Sequence, residues 1–242
     1  MSPAGDAPRH PASTDEELLA AGSGEFIARL DDGARVDRIA AELRFGFEAL
    51  AGVGPAVSVF GSARATPRDD SYEQARSLAR ELGEAGFAII TGGGGGIMAA
   101  ANRGASEAGV ASIGLGIELP REERMNEWVD LSLCFHYFFT RKVMFVRYAS
   151  AFVVLPGGFG TLDELFEAAT LRQTRKIRHF PVVLFGTDYW GGLVEWLRAR
   201  VLAEGKVDAA DVDKLEVTDD PARVLELVRG DDQRPPRAGR GR

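Results

Sequence analysis

The sequence predicts an α/β fold, a doubly wound parallel sheet of the Rossmann-like kind, in a single domain with a helical N-terminal extension. Two observations predict it. Short runs of apolar and β-branched residues alternate with longer stretches whose apolar residues recur at helical spacing. The short runs are apolar at nearly every position, so both faces of the sheet must be covered, and the intervening helices provide that cover. A chain of 242 residues is long enough for one such domain with terminal additions.

The elements follow one another regularly along the chain. Before the first strand, apolar residues at helical spacing over 26–50 predict an amphipathic helix that ends at Gly52 and Gly54. The predicted strands cover 57–60, 87–91, 112–117, 151–155, 182–185 and, more weakly, 215–217. The predicted helices cover 71–85, 97–108, 140–150, 162–174, 190–202 and 221–228.

The two ends of the chain differ from the middle in composition. Residues 1–24 are rich in Pro, Ala, Gly, Ser and Asp, and residues 230–242 are basic and lack an apolar run. Neither segment can bury much apolar surface. We therefore expect disordered tails at 1–24 and 230–242, a helical extension at 25–54 and the Rossmann-like domain at 55–229.

Charge and composition exclude several classes of partner and site. A formal net charge of −7 argues against nucleic acid as a partner. Neither a membrane-spanning apolar run nor a signal-peptide pattern is present, so we expect a cytoplasmic protein without a membrane partner. Cys134 is the single cysteine, and its apolar surroundings predict a buried core residue. His10, His136 and His179 lack metal-ligand spacing, so no metal site is predicted.

The first glycine cluster, residues 92–96, stands between the strand 87–91 and the helix 97–108. Glycines permit close backbone approach, and a helix N-terminus offers unpaired N–H groups to an anion, so the arrangement is typical of a phosphate site. A flexible turn is the plainer alternative. A dinucleotide fingerprint is another, because Glu118 lies about 20 residues beyond the glycines, where an acidic residue grips a ribose in that motif.

The second cluster is more specific. The sequence Pro-Gly-Gly-Phe-Gly-Thr at 156–161 directly follows the strand 151–155, and Thr161 is predicted to cap the next helix. Glu164 and Glu167 then share one face of that helix, one turn inside its positive end. A capping box or simple dipole complementarity is the alternative interpretation of these acids.

These motifs together resemble the LOG (Lonely Guy) family of cytokinin-activating nucleotide phosphoribohydrolases. The run PGGFGTLDE at 156–164 is similar to that family's PGGxGTxxE motif. Gly61 and Ser62 after the first strand, the GGGGGIM run at 92–98, and the pair Arg141 and Lys142 also resemble family motifs, in the same order along the chain. Ala63 and Ala99 depart from the family pattern, which leaves the preferred base and the assembly open.

The resemblance implies that Arg141 and Glu164 are the catalytic residues and that the domain at 55–229 binds a nucleoside 5′-monophosphate. A carboxylate suits the oxocarbenium-like state of N-glycosidic hydrolysis, and an always-cationic arginine suits a positioning role. The reaction needs no cofactor or metal. The expected substrate-binding residues are Gly61, Ser62, Gly93, Gly94, Gly95, Met98, Met125, Arg141, Lys142, Gly157, Gly158, Gly160, Thr161 and Glu167. Core filling is the alternative role for each of the two methionines.

Two other functions stay open on the sequence. A carrier of a nucleotide or phosphorylated cofactor, like the molybdenum-cofactor carriers that share this fold, would need the glycine loops but not Glu164. NAD-dependent redox chemistry rests on Glu118 alone. The sequence does not support lysine decarboxylase activity, because no lysine stands in a sequence context typical of Schiff-base formation.

The resemblance also implies a homodimer or a larger homo-oligomer. The aromatic residues Phe135, Tyr137, Phe138 and Phe139 would supply apolar surface for the interface, with core packing as the equal alternative.

Overall fold

The computed structural model describes residues 13–19, 31–118, 124–177 and 180–230, and within them lies a seven-stranded sheet in the order β4-β3-β2-β1-β5-β6-β7. Every neighbouring pair of strands is parallel. The fold is therefore the doubly wound α/β architecture that the alternating pattern predicts. The strands are β1 (Ala56–Phe60), β2 (Ala88–Thr91), β3 (Ser112–Ile117), β4 (Leu131–Phe135), β5 (Ala151–Val154), β6 (Val182–Phe185) and β7 (Leu215–Thr218).

Helices precede the sheet and connect its strands. Two of them, α1 (Thr14–Leu19) and α2 (Asp32–Leu50), come before β1, and a π-helical segment at Leu197–Leu202 continues α7. The others are α3 (Asp70–Glu84), α4 (Ile97–Ala108), α5 (Phe138–Tyr148), α6 (Phe159–Gln173), α7 (Thr187–Trp196), α8 (Ala209–Val212) and α9 (Pro221–Gly230).

The core lies on both faces of the sheet. All five residues of β1 are buried, because alternate side chains point to opposite faces and each face is covered. Val57 and Val59 pack with residues of α3, α4 and α9 in one cluster. Phe60 packs with residues of α2, α5, α6 and α7 in the other, where its ring makes an edge contact with Phe145 on α5 at 5.0 Å between centroids.

The strand order creates a switch point beside β1. The chain moves outward from β1 through β2, β3 and β4, then returns to pair β5 with the other side of β1. Loops that leave adjacent strands toward opposite faces open a crevice at the carboxyl ends of those strands. The loops after β1 and β5 meet there, although distant parts of the chain supply them.

Strand β4 was not among the predicted strands, and its discovery corrects the prediction for Cys134. Leu133 and Phe135 face the core, whereas Cys134 points outward and is exposed. The apolar run 131–139 suggested burial throughout, but β4 is an edge strand and only its alternate side chains reach the core. Two short helices, α1 within the segment expected to be a tail and α8, were also not predicted.

The four aromatic residues near β4 divide between core and surface. Phe135 and Tyr137 are fully buried, which agrees with the core-packing alternative. Phe138 and Phe139 on α5 are 41% and 43% exposed.

Some predictions fall outside the described residues. They are those for residues 1–12 and 231–242 of the tails, for 26–30 of the first predicted helix, and for His10 and His179. Among the described helices, none combines the length and the apolar character that a membrane crossing requires.

Candidate active site

A cavity of about 610 Å³ opens at the switch point, at the carboxyl ends of β1, β2 and β5. Its wall combines backbone from three glycine-containing loops, apolar side chains from β1, α4 and α5, and three charged residues. The lining residues are Phe60, Gly61, Ser62, Ala63, Arg64, Gly92, Met98, Arg141, Phe145, Gly158, Phe159, Gly160, Thr161 and Glu164.

Ser62 ties the three loops together. Its N–H donates to the Pro156 carbonyl at 2.9 Å, and its own carbonyl accepts the N–H of Ile97 at 2.9 Å. The loops approach closely because a glycine stands at each crossing. A Cβ at Gly61 would lie 2.5 Å from Ile97 Cγ2, and one at Gly96 would lie 2.2 Å from the Ser62 carbonyl oxygen. Close backbone packing therefore requires glycine at these two positions, whether or not they also contact a ligand.

The loop after β2 is held by a buried polar network. Gly93 N–H donates to Thr91 Oγ1 at 2.9 Å, and the Asn126 amide donates to the carbonyls of Gly93 and Gly94, each at 3.0 Å. The Asn126 amide also donates to Asn102 Oδ1 at 2.9 Å, and Thr91 Oγ1 contacts the same oxygen at 2.7 Å. The glycine loop is thus fixed by side chains that sequence reasoning missed, since neither asparagine belongs to a recognised motif.

Glu164 is a buried acid on the first turns of α6. Its side chain lines the cavity, is 4% exposed, and has an oxygen, Oε2, without a hydrogen-bond partner among the described residues. Burial raises the pKa of Glu164 to about 7, although the positive charges of Lys142 and Arg141 act in the opposite direction. An acid with this pKa changes charge near neutral pH.

Arg141 lines the same cavity from the first turns of α5. Its guanidinium carbon lies 5.0 Å from the ring centroid of Phe138 and 5.6 Å from that of Phe145. Its Nε is buried and has no hydrogen-bond partner within the described ranges. Burial lowers the pKa of Arg141, while the charges of Glu164 and Asp163 oppose that shift. The group remains a cation, because the ordinary pKa of an arginine lies far above neutral pH.

Lys142 joins the two helices that carry these residues. Its Nζ lies 2.9 Å from Asp163 Oδ2 and 2.8 Å from Glu167 Oε2. Burial lowers the pKa of Lys142, but hydrogen bonds to Glu167 and Asp163 outweigh it, so the pKa is raised overall. Glu167 therefore pairs with Lys142, and the two salt bridges join α5 to α6.

The structure brings together about half of the residues that the sequence assigned to catalysis or to substrate binding. Eight of them line the cavity: Gly61, Ser62, Met98, Arg141, Gly158, Gly160, Thr161 and Glu164. The others, Gly93, Gly94, Gly95, Met125, Lys142, Gly157 and Glu167, lie outside that lining. Their binding roles stay predictions.

Two of these residues have a packing role. Met125 lies against glycine backbone: a Cβ at Gly93 would meet its Sδ at 2.2 Å, and one at Gly116 would meet its Cε at 2.5 Å. This placement fits the core-filling alternative for Met125. Gly157 passes close to Thr161, whose Oγ1 would lie 2.1 Å from a Cβ there.

The prediction that Thr161 caps α6 is wrong. The helix begins two residues earlier, at Phe159, with Gly158 in the cap position and no side-chain cap. Thr161 already lies inside the first turn and is buried. The glycine cap leaves the first N–H groups of α6 without a side chain in front of them, which suits an anion at that end.

Six lining residues were not among the predicted site residues: Phe60, Ala63, Arg64, Gly92, Phe145 and Phe159, although Gly92 belongs to the first glycine cluster. Arg64 and Ala63 follow Gly61 and Ser62 directly, so their place in the loop after β1 was a usable signal. Phe159 stands inside the PGGFGT run and is 93% exposed. Phe60 and Phe145 carry no sequence signal beyond their core pattern.

Glu118 does not line the cavity. Its Oε2 accepts the hydroxyl of Thr14 at 3.1 Å and lies 3.9 Å from His136 Nε2. The dinucleotide interpretation, which depended on Glu118 reaching a ribose, has no support from this position. Among the described residues, no group of three or more His, Cys, Asp or Glu side chains is arranged to hold a metal ion.

The arrangement suits a phosphorylated sugar. Helix N-termini of α4 and α6 offer backbone N–H groups, Arg64 and Arg141 add positive charge, and Glu164 adds a carboxyl whose pKa is raised to about 7. Phe60, Met98 and Phe145 give one side of the cavity an apolar wall, which suits a flat heterocyclic ring.

Solved structures with this fold include molybdenum cofactor proteins. The chain superposes on the molybdenum cofactor carrier protein of Chlamydomonas reinhardtii with a TM-score of 0.56 and 22% identity, covering 74% of this chain and 99% of that one. It superposes on the molybdenum cofactor binding protein of Rippkaea orientalis with a TM-score of 0.53 and 23% identity, covering 73% and 94%. These likenesses show the shared fold.

Curated relatives are more similar in sequence. A probable cytokinin riboside 5′-monophosphate phosphoribohydrolase of Oryza sativa subsp. japonica is 30% identical over 179 residues, 72% of this chain and 77% of the relative. The cytokinin riboside 5′-monophosphate phosphoribohydrolase LOG of the same plant is 33% identical over 172 residues, 69% of each chain. A third rice relative is 35% identical, but the match spans about half of its length, 54%.

A family model described as "Possible lysine decarboxylase" matches residues 98–228, more than half of the chain, including Arg141, Glu164 and the PGGFGT loop. With the rice relatives, it shows that the chain belongs to the LOG family of Rossmann-like proteins.

Proposed function

We propose that this protein is a nucleoside 5′-monophosphate phosphoribohydrolase that cleaves N6-substituted AMP, AMP itself, or both, to the free base and ribose 5-phosphate. The observation that carries the proposal is Glu164, a buried carboxyl with a pKa of about 7, in one cavity with Arg141 and two helix N-termini. One of its oxygens has no hydrogen-bond partner in the described part of the chain. The LOG relatives support the same reaction class, since their names describe phosphoribohydrolases.

Glu164 would act at the anomeric carbon. As the glycosidic bond breaks, the ribose ring gains positive charge, and a carboxylate beside it stabilises that charge. A carboxylate with a pKa near the working pH also accepts a proton from the attacking water. Both actions need the ionised form of Glu164, and the low-polarity surroundings that raise its pKa strengthen its interaction with a developing cation.

Arg141 and the glycine loops would hold the anionic end of the substrate. The start of α6 at Gly158 presents N–H groups suited to phosphate oxygens, and so does the start of α4 beyond Ile97, whose own N–H donates to the Ser62 carbonyl. Arg141 adds a fixed positive charge that orients the nucleotide and offsets negative charge on the departing base. Its pKa is too high for general acid catalysis, so its role is electrostatic and positional.

A direct assay tests the proposal. Purified protein is incubated with AMP and with N6-isopentenyl-AMP, and released base is measured by chromatography. Wild type should release base and ribose 5-phosphate in equal amounts, and Glu164→Gln should lose at least about 100-fold in kcat, since it removes the charge that the transition state needs. Glu195→Gln, an exposed acid on α7, is the matched control. Folded wild type that releases no base from any nucleotide would remove the enzyme proposal.

A non-catalytic carrier is the second candidate, and the likeness in fold to a molybdenum cofactor carrier protein and a molybdenum cofactor binding protein favours it. A carrier needs the anion-binding loops but gains nothing from a charged, buried Glu164. Calorimetric titration separates the two functions: a carrier would bind its phosphorylated ligand equally well with Glu164 or with Gln at that position, and would show no turnover.

We further propose that the protein forms a homodimer or a larger homo-oligomer in the cytoplasm. Exposed apolar side chains stand on the two helices that carry Arg141 and Glu164, a composition typical of interfaces. They are Phe138, Phe139 and Val143 on α5 and Phe166 on α6. Sedimentation equilibrium would give the mass directly, and Val143→Asp should shift it toward the monomer.

A further inference from the structure

The start of α5, the helix that carries Arg141, is held from outside the Rossmann-like domain. The cap residue Tyr137 makes no side-chain cap bond, so the first N–H groups of α5 need other partners. Phe138 N–H donates to Asp15 Oδ2 on α1 at 3.2 Å. His136 N–H, just before the helix, donates to Glu42 Oε1 on α2 at 2.9 Å. Two carboxylates from the part of the chain before β1, one on α1 and one on α2, thus meet the positive end of α5.

Glu42 makes the more extensive contact of the two. It is 7% exposed, and its two oxygens contact three atoms of the segment just before Arg141. Besides His136 N–H, Oε1 lies 2.5 Å from His136 Nδ1, and Oε2 accepts the hydroxyl of Thr140 at 2.7 Å. Thr140 is fully buried and immediately precedes Arg141 in the chain.

Arg141 has few restraints of its own. Within the described residues its side chain contacts the rings of Phe138 and Phe145, and its Nε has no hydrogen-bond partner. The position of its guanidinium therefore depends on where the first turn of α5 lies. Glu42 fixes that turn through Thr140 and His136, and a displacement of about 1 Å at a catalytic group costs about 100-fold in rate.

We propose that Glu42 is a positioning residue for Arg141, so that helix α2 of the N-terminal extension sets the geometry of the cavity. Glu42 does not line the cavity; it acts through the start of α5. This inference rests on the proposed function, because its kinetic test requires that the protein hydrolyse AMP. It also gives the extension, which lies ahead of the residues matched by the family model, a role at the site.

A double-mutant cycle tests the proposal. Glu42→Gln keeps the size of the side chain but replaces one acceptor oxygen with a donor, so the Thr140 or the His136 contact is lost. We expect Glu42→Gln to lower kcat/KM for AMP about tenfold or more in the wild-type background and less than about twofold when Arg141 is already Lys. Glu48→Gln, an exposed acid on the same helix, should leave both values unchanged. Equal losses from Glu42→Gln in both backgrounds would overturn the proposal, because Glu42 would then act independently of Arg141.

A second pair of variants applies if Glu42→Gln does not fold. Thr140→Val removes the hydroxyl that reaches Glu42 at nearly constant volume, whereas Thr140→Ser keeps it. Thr140→Val should reproduce the loss and Thr140→Ser should recover most of it. Equal activity of the two would also overturn the proposal.

If wild type turns over no nucleotide, the proposed function fails, but the positioning role is still measurable. The same cycle is then run on the affinity for AMP by calorimetry. A loss of affinity on Glu42→Gln that disappears in the Arg141→Lys background supports positioning, and additive losses contradict it.

Discussion

Glu164→Gln should stabilise the folded protein at alkaline pH while removing its activity. In the folded state burial raises the pKa of Glu164 from 4.5 to about 7, whereas the unfolded chain keeps the ordinary value. One pKa unit corresponds to about 1.4 kcal/mol. The ionised form of Glu164 therefore disfavours the folded state by about 3 kcal/mol above pH 7. A neutral glutamine of the same shape avoids that cost.

The sign of the pH dependence follows from the raised pKa. Below pH 4.5 the carboxyl is protonated in both states, so Glu164 imposes no electrostatic cost and the full stability is present. As pH rises from 4.5 to about 7 the unfolded state loses its proton first, and stability falls by the whole amount. We expect Glu164→Gln to be more stable than wild type by about 3 kcal/mol at pH 8 and by less than about 1 kcal/mol at pH 5.

Urea denaturation at pH 5 and pH 8 measures the difference. Protein concentration must be the same throughout, because any oligomer makes stability depend on it. Glu195→Gln, an exposed acid, should change the free energy of unfolding by less than about 0.5 kcal/mol at either pH. If Glu164→Gln is destabilised at pH 8, or if its effect is the same at both pH values, then Glu164 is not a desolvated carboxylate and the reasoning about its charge is wrong.

Three further predictions concern the same cavity. The proposed role of Glu164 requires its ionised form, and its pKa is about 7, so kcat/KM should fall about tenfold per pH unit below pH 7; a profile flat down to pH 5.5 would contradict this. Arg64→Ala should raise KM for AMP about tenfold and leave KM for adenosine unchanged, since Arg64 lines the cavity as a cation suited to phosphate; equal effects on both would exclude phosphate contact. Gly157→Ala should lower the free energy of unfolding by about 1–3 kcal/mol, because its Cβ would lie 2.1 Å from Thr161 Oγ1. Gly158→Ala is the control, since a Cβ there would meet nothing within 4 Å. Equal melting temperatures for the two variants would refute the packing argument.

The fold was predictable because its signal is repeated along the chain. Each predicted strand is present with bounds shifted by one residue at most, as for β1, predicted over 57–60 and observed over Ala56–Phe60. Such runs are apolar on both faces, which the pattern records directly. Strand β4 was not predicted, because only alternate residues of an edge strand need be apolar. The aromatic residues that follow it also obscured its end.

The location of the cavity was predictable from the sequence, but the side chains that hold its loops and helices in place were not. Arg141 and Glu164 were expected to face one pocket, and both line it. The roles of Asn126 and Glu42 could not be found from sequence, because each depends on a contact between segments far apart in the chain. The helix start at Phe159 was misplaced because a Thr before a helical pattern usually marks a cap, whereas here the glycines begin the helix.

The neighbouring positions of β1 and β5 have a consequence for how the protein is made. A nascent chain that has emerged only as far as β4 already carries Ser62 and the glycines after β2, but neither Pro156, to which Ser62 N–H must donate, nor Glu164. The cavity can therefore close only when β5 and α6 have left the ribosome and inserted beside β1. Fragments that end before that point should fail to retain AMP, so ligand-induced stabilisation should arrive late in synthesis.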